Sequence, residues 1–73
     1  MKTIDQLVRI ASAGGGMRIN AQGKTVDQLV RIASAASTKG AQITIINVNL
    51  FTIDQLVRIA SAGKGSIVFD IIE

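Results

Sequence analysis

Apolar residues along the chain keep two alternating rhythms. At Ile4, Leu7, Val8 and Ala11 they recur at spacings of three and four, which on an α-helix draws one continuous stripe, widened by Ile10. At Met17, Ile19 and Ala21 they alternate with Arg18, Asn20 and Gln22, the period-two pattern of a half-buried strand. The helical rhythm then returns almost letter for letter: TIDQLVRIASA at 3–13, TVDQLVRIASA at 25–35 and TIDQLVRIASA at 52–62. A strand-like stretch follows each copy, MRINAQ at 17–22, AQITIINVNL at 41–50 and SIVFDIIE at 66–73, the last with Ile67, Phe69 and Ile71 in phase. The middle stretch slips phase at Ile45 and Ile46, which predicts either a bulge or a strand that ends early.

Start and stop signals frame each helix. Thr3 and Gln6, Thr25 and Gln28, and Thr52 and Gln55 have the spacing of a capping box, in which the threonine hydroxyl accepts from the backbone three residues on and the glutamine reaches back. Asp5, Asp27 and Asp54 fall in the first turn, where negative charge meets the positive end of the helix dipole. Phe51, just before the third cap, is placed to staple against Leu56. Gly14, Gly40 and Gly63 supply the stops, and Arg9 and Ser12 are expected to face outward.

A lone helix of about 11 residues is marginal in water, so something must cover its stripe. The order αβαβαβ makes the strands the cover, and strand–helix–strand succession implies parallel pairing through right-handed crossovers. Each helix–strand unit has one apolar face that it cannot bury alone, whereas side-by-side units share a continuous core. The expected fold is α/β: one domain, 1–73, built as a two-layer repeat of three helix–strand units at about 3–24, 25–51 and 52–73. Arg18, Asn20, Gln22, Gln42, Thr44 and Asp70 make the second strand face polar, which puts all helices on one face of a three-stranded, mostly parallel sheet. Helices on both faces would need strands apolar on both sides, and only the last strand, with Val68 and Ile72, comes close.

Composition narrows the chemistry more than the fold. At 73 residues a domain buries only about 60% of its unfolded surface, so stability is tight unless chains associate. With 48% apolar and 18% charged residues the chain is globular, and with no Cys and no His it has no disulfide, no thiolate ligand and no imidazole base. The net charge of +3 is spread over lysines near turns, Lys2, Lys24, Lys39 and Lys64. No apolar run approaches the roughly 18–20 residues that cross a bilayer. Met-Lys-Thr leads straight into a capped helix without a signal-peptide core, so a cytoplasmic location without a membrane partner is expected.

The glycine runs GGG at 14–16 and GKGS at 63–66 lack phosphate-loop spacing and follow a helix rather than open one, so they are read as helix stops and turns. Among the carboxylates Asp5, Asp27, Asp54, Asp70 and Glu73, no two are spaced as an acid–base pair, and Ser12, Ser34 and Ser61 have no histidine to activate them. No catalytic, cofactor-binding or metal-binding residues are therefore assigned, no small-molecule substrate is evident, and the chain is read as a non-enzyme. Arg9, Arg31 and Arg58 line up across the helix layer, interleaved with Gln6, Gln28 and Gln55 as a solvated face.

TIDQLVRIASAGGG resembles the first helix of the TAL-effector repeat, the DNA-reading module of plant-pathogen proteins, through Thr3, Asp5, Gln6, Val8, Ile10, Ala11, Ser12, Gly15 and Gly16. The resemblance would set Ala13 and Gly14 at the base-reading pair and would imply a DNA partner. It stops after residue 16: that family continues into a second, basic helix, whereas here a strand follows, and copies two and three read AASTKG and AGKG instead of keeping Gly-Gly. No basic stripe or aromatic platform accompanies it, so nucleic acid is not the expected partner. The starts at 3, 25 and 52 give lengths in the leucine-rich-repeat range, and Ile43, Ile46 and Val48 echo part of that consensus, although Phe51 stands at its asparagine position. That likeness extends to the general horseshoe plan.

Near-identity of the copies, together with the lack of Cys, His, Trp, Tyr and Pro, points to an engineered or recently duplicated repeat protein. A three-stranded sheet leaves two open edges, neither guarded by proline or an inward charge. The last strand is apolar on both sides through Val68 and Ile72, and with Ile46 these residues form the expected self-association surface. The function expected is a non-catalytic, self-assembling structural scaffold whose partner is a second copy of the chain, as a homodimer or larger or with a swapped unit. The alternative is a small protein-binding repeat module.

Overall fold

In a computed structural model, which describes residues 2–72, the chain runs α1 (Ile4–Ser12), β1 (Met17–Asn20), α2 (Val26–Lys39), β2 (Ile43–Ile46), α3 (Ile53–Gly63) and β3 (Ile67–Phe69). All three capping boxes form. The Thr3 N–H donates to Gln6 Oε1 at 2.9 Å and the Gln6 N–H donates to Thr3 Oγ1 at 3.2 Å, and the pairs at Thr25 and Thr52 repeat the geometry.

At their other ends the helices differ. Gly40 takes the left-handed conformation after α2, with φ of 69°. After α3 the left-handed residue is Lys64, with φ of 49°, and Gly63, expected as the stop, is the last helical residue. Glycine at 63 serves close approach instead: a Cβ there would run into the Ile67 side chain where β3 begins.

The strands pair in the order β1-β2-β3, all parallel. Register sets Met17, Ile43 and Ile67 in one row and Ile19, Ile45 and Phe69 in the next, both facing the helices. Arg18, Thr44 and Val68 form a row on the opposite face, followed by Asn20 and Ile46. β2 carries no bulge; it stops at Ile46, where Asn47 turns left-handed at φ of 60° and its Nδ2 donates to Asn20 Oδ1 at 3.0 Å. That stop also shortens β3. The Asp70 N–H still donates to Ile45 O at 3.0 Å, but beyond Ile46 no ladder remains, and Ile71 lies exposed instead of packing in phase.

All three helices lie on one face of the sheet, α2 in contact with both α1 and α3. The shortest dimension, 19 Å, leaves room for two layers and no third. Leu29, Ile32, Ile43, Ile45, Val48 and Ile59 are the largest fully buried side chains, centred on the middle repeat and on α3's inner side. Every buried side-chain polar atom among the described residues has a partner. No helix among them is long and apolar enough to cross a membrane.

Candidate functional site

Because the three helices share one sequence, differences in burial between equivalent residues report what each helix has beside it. Ala11 and Ala33 are 0% exposed, whereas Ala60 is exposed. Ile4 and Val26 are half-buried, as are Val8 and Val30, yet Ile53 is 74% and Val57 55% exposed. These positions, spaced four and three apart, form one flank of each helix. On α1 and α2 the next helix covers that flank; on α3 it is bare.

The opposite flank shows the converse. Ile32 and Ile59 are fully buried while Ile10 is only half-buried, and Gln6 and Ala13 are exposed where Gln28, Ala35, Gln55 and Ala62 are half-buried. Here α1 is the helix without a neighbour. Lys2, Gln6, Arg9, Ile10 and Ala13 line an open depression of about 440 Å³ along it.

Ion pairs run across the same joints. Arg31 Nη2 on α2 donates to Asp5 Oδ1 on α1 at 2.8 Å, and Arg58 Nη2 on α3 donates to Asp27 Oδ1 on α2 at 3.3 Å. Of the three arginines expected to form a plain solvated row, Arg31 and Arg58 therefore reach back to the aspartate of the preceding copy. All four partners are well exposed, so each pair contributes about 0.2–1 kcal/mol and serves chiefly to fix the register of neighbouring helices. The first arginine and the last aspartate of the series, Arg9 and Asp54, have no ion-pair partner among the described residues.

The surface read from the last strand lies elsewhere. Val68 and Ile46 share the sheet face turned away from the helices, and Ile46 meets Ile72 in a groove of about 170 Å³ together with Arg18, Asn47, Asn49 and Asp70. Arg18 and Asp70 bridge that face at 3.8 Å. Ile72, 82% exposed, also lines a second groove of about 240 Å³ at the open end of the stack, with Val48, Phe51, Ile53, Leu56 and Ile71. Of the three residues expected on this surface, Val68 and Ile72 are exposed and Ile46 is half-buried, while Leu50, Ile53 and Val57, not singled out by the sequence, carry more of the exposed apolar surface.

The remaining candidates stay apart. Asp5 and Asp27 are held by arginines, Asp70 faces Arg18, and no three metal-ligating residues gather among the described ones. Glu73 lies outside the described residues. Ala13 caps α1 and Gly14 follows at φ of 94°, the pair lying in an exposed turn into β1. Comparison with protein-family models, curated proteins and solved structures finds no match for the chain.

Proposed function

We propose that this chain is a non-catalytic structural scaffold, engineered or recently duplicated, that works by associating with further copies of itself. One observation carries this reading: the large exposed apolar side chains, Leu50, Ile53, Val57, Val68, Ile71 and Ile72, all fall between residues 50 and 72. Scattered apolar residues are ordinary on a protein surface, but Ile53, Ile71 and Ile72 of this set line one groove, and a contiguous apolar patch marks a surface that is covered in use. A stack of repeats needs a polar outer face on its last unit to remain single in water, and here that unit keeps the same apolar flank as the inner ones. A chain with neither histidine nor cysteine is also poorly equipped for acid–base or nucleophilic catalysis. Its cysteine-free core needs no oxidising compartment, in keeping with a cytoplasmic setting.

Sedimentation velocity from low to high micromolar chain tests the proposal. The expected result is a weight-average mass that rises with concentration above that of the 7.7 kDa monomer. A single monomeric species throughout that range refutes it.

A further inference from the structure

The two bare flanks are the two halves of a joint that the molecule already makes twice. In the α1–α2 joint, the flank Ile4, Val8 and Ala11 with Asp5 meets the flank Gln28, Arg31, Ile32 and Ala35; in the α2–α3 joint, Val26, Val30, Ala33 and Asp27 meet Gln55, Arg58, Ile59 and Ala62. At one end of the stack α3 offers Ile53, Val57 and Ala60 with an unpaired Asp54. At the other end α1 offers Gln6, Ile10 and Ala13 with an unpaired Arg9. The residues match position for position, down to the free charge on each side. Beneath them the sheet is unfinished in the same sense, since β1 and β3 each have one edge without a strand and every existing pairing is parallel.

We propose that copies of this chain join head to tail, the α3 flank of one seating on the α1 flank of the next as though a further repeat followed in the same chain. Asp54 of one copy takes Arg9 of the other, as Asp5 takes Arg31 and Asp27 takes Arg58. The side chains that fill the depression along α1 are Ile53, Val57 and Ala60, and β3 pairs in parallel with β1. This rests on the self-assembly reading and goes further by assigning the surface, the polarity and the register. It also separates two modes of association. A head-to-tail joint is heterologous and leaves one free flank at each end of every dimer, so growth continues to a ring or a filament, whereas packing of the Val68, Ile46 and Ile72 sheet face against itself closes at a dimer.

The decisive variants are A60R and V68K, whose side chain lies on the sheet face turned away from the helices, each compared with the parent by sedimentation velocity. Ala60 is exposed, so arginine there leaves the single chain folded, as circular dichroism will verify. Ala11 and Ala33, its equivalents inside the stack, are fully buried, so the same arginine leaves no room for a neighbouring helix. The expected result is a monomeric A60R at concentrations where the parent exceeds dimer mass, with V68K assembling like the parent. Association of A60R equal to the parent's overturns the head-to-tail joint while leaving self-assembly intact, and loss confined to V68K moves the contact to the sheet face. A parent that stays monomeric overturns both readings.

A charge exchange tests the register. Alone, D54R sets two guanidinium groups against each other across the joint and R9D sets two carboxylates, and at low salt each variant should associate about five- to tenfold more weakly than the parent. Mixed in equal amounts, every joint in an alternating chain regains an opposite pair, and assembly should return to the parent's level. A mixture no better than its components refutes the Arg9–Asp54 register.

Discussion

Alanine stands at the same place in all three copies, and the stack gives it different surroundings in the last one. Replacing Ala33 by leucine puts an isobutyl group where a methyl now sits at 0% exposure between α2 and α3, and overpacking of that kind costs about 1–3 kcal/mol. Ala11→Leu, equally buried between α1 and α2, should cost a similar amount. Ala60→Leu meets solvent on a single chain and should change stability by no more than about 0.5 kcal/mol. A domain of 73 residues holds about 4–11 kcal/mol in all, at roughly 0.05–0.15 kcal/mol per residue, so every variant should still fold. For a chain this size 1 kcal/mol moves Tm by about 4–8 °C, which places the Ala33 variant about 4–24 °C below the Ala60 variant. Thermal unfolding followed by circular dichroism, at a dilution where association is absent, measures the gap. Equal losses at the two positions would mean that helix stacking does not decide their burial, and the joint described above would be wrong.

Other consequences can be checked one by one. Thr25→Ala removes the hydroxyl that accepts from the Gln28 N–H, leaving the Thr25 backbone N–H to donate to Gln28 Oε1, and should destabilise the chain by about 0.5–2 kcal/mol in urea unfolding, with helix content otherwise kept. A double-mutant cycle at Asp27 and Arg58 should give a coupling of at most about 1 kcal/mol that shrinks as salt is raised, since both side chains are exposed; a larger, salt-insensitive coupling would contradict that geometry. Lys64 pays for its left-handed backbone, so Lys64→Gly should stabilise the fold by about 0.5–1 kcal/mol, read as a shift of the urea midpoint at constant slope.

Local chemistry was the legible part. Threonine and glutamine three apart marked every helix start, alternation in MRINAQ marked β1, and polar residues at 18, 20 and 44 placed the helices on one side. These signals act over a few residues, where sequence spacing and spatial spacing nearly coincide. The Arg31–Asp5 and Arg58–Asp27 pairs span 26 and 31 residues and exist only once the helices are laid side by side. A hint was available in the sequence, an aspartate and an arginine at fixed places in every copy, but copies this alike cannot say which arginine meets which aspartate. The exposure of Ile53 and Val57 was hidden for the same reason: nothing in TIDQLVRIASA distinguishes the last copy from the first, and only its rank in the stack leaves that flank dry or wet. The early end of β3 depends on where β2 turns aside at Asn47, a fact about its neighbour and not about SIVFDIIE itself.

The single-sided arrangement of the layers also fixes a shape. Neighbouring strands are spaced about 4.8 Å apart, whereas packed helices sit about 8–10 Å apart, so every unit is a wedge, broad at its helix and narrow at its strand. With layers about 10 Å apart, that mismatch of about 4 Å bends the row by about 20–25° per unit. A row of wedges arches with α1, α2 and α3 along the outer rim and Arg18, Thr44 and Val68 on the hollow inner wall. Whatever enters the arch meets a floor of strand side chains, and its width is set by how many wedges stand in line.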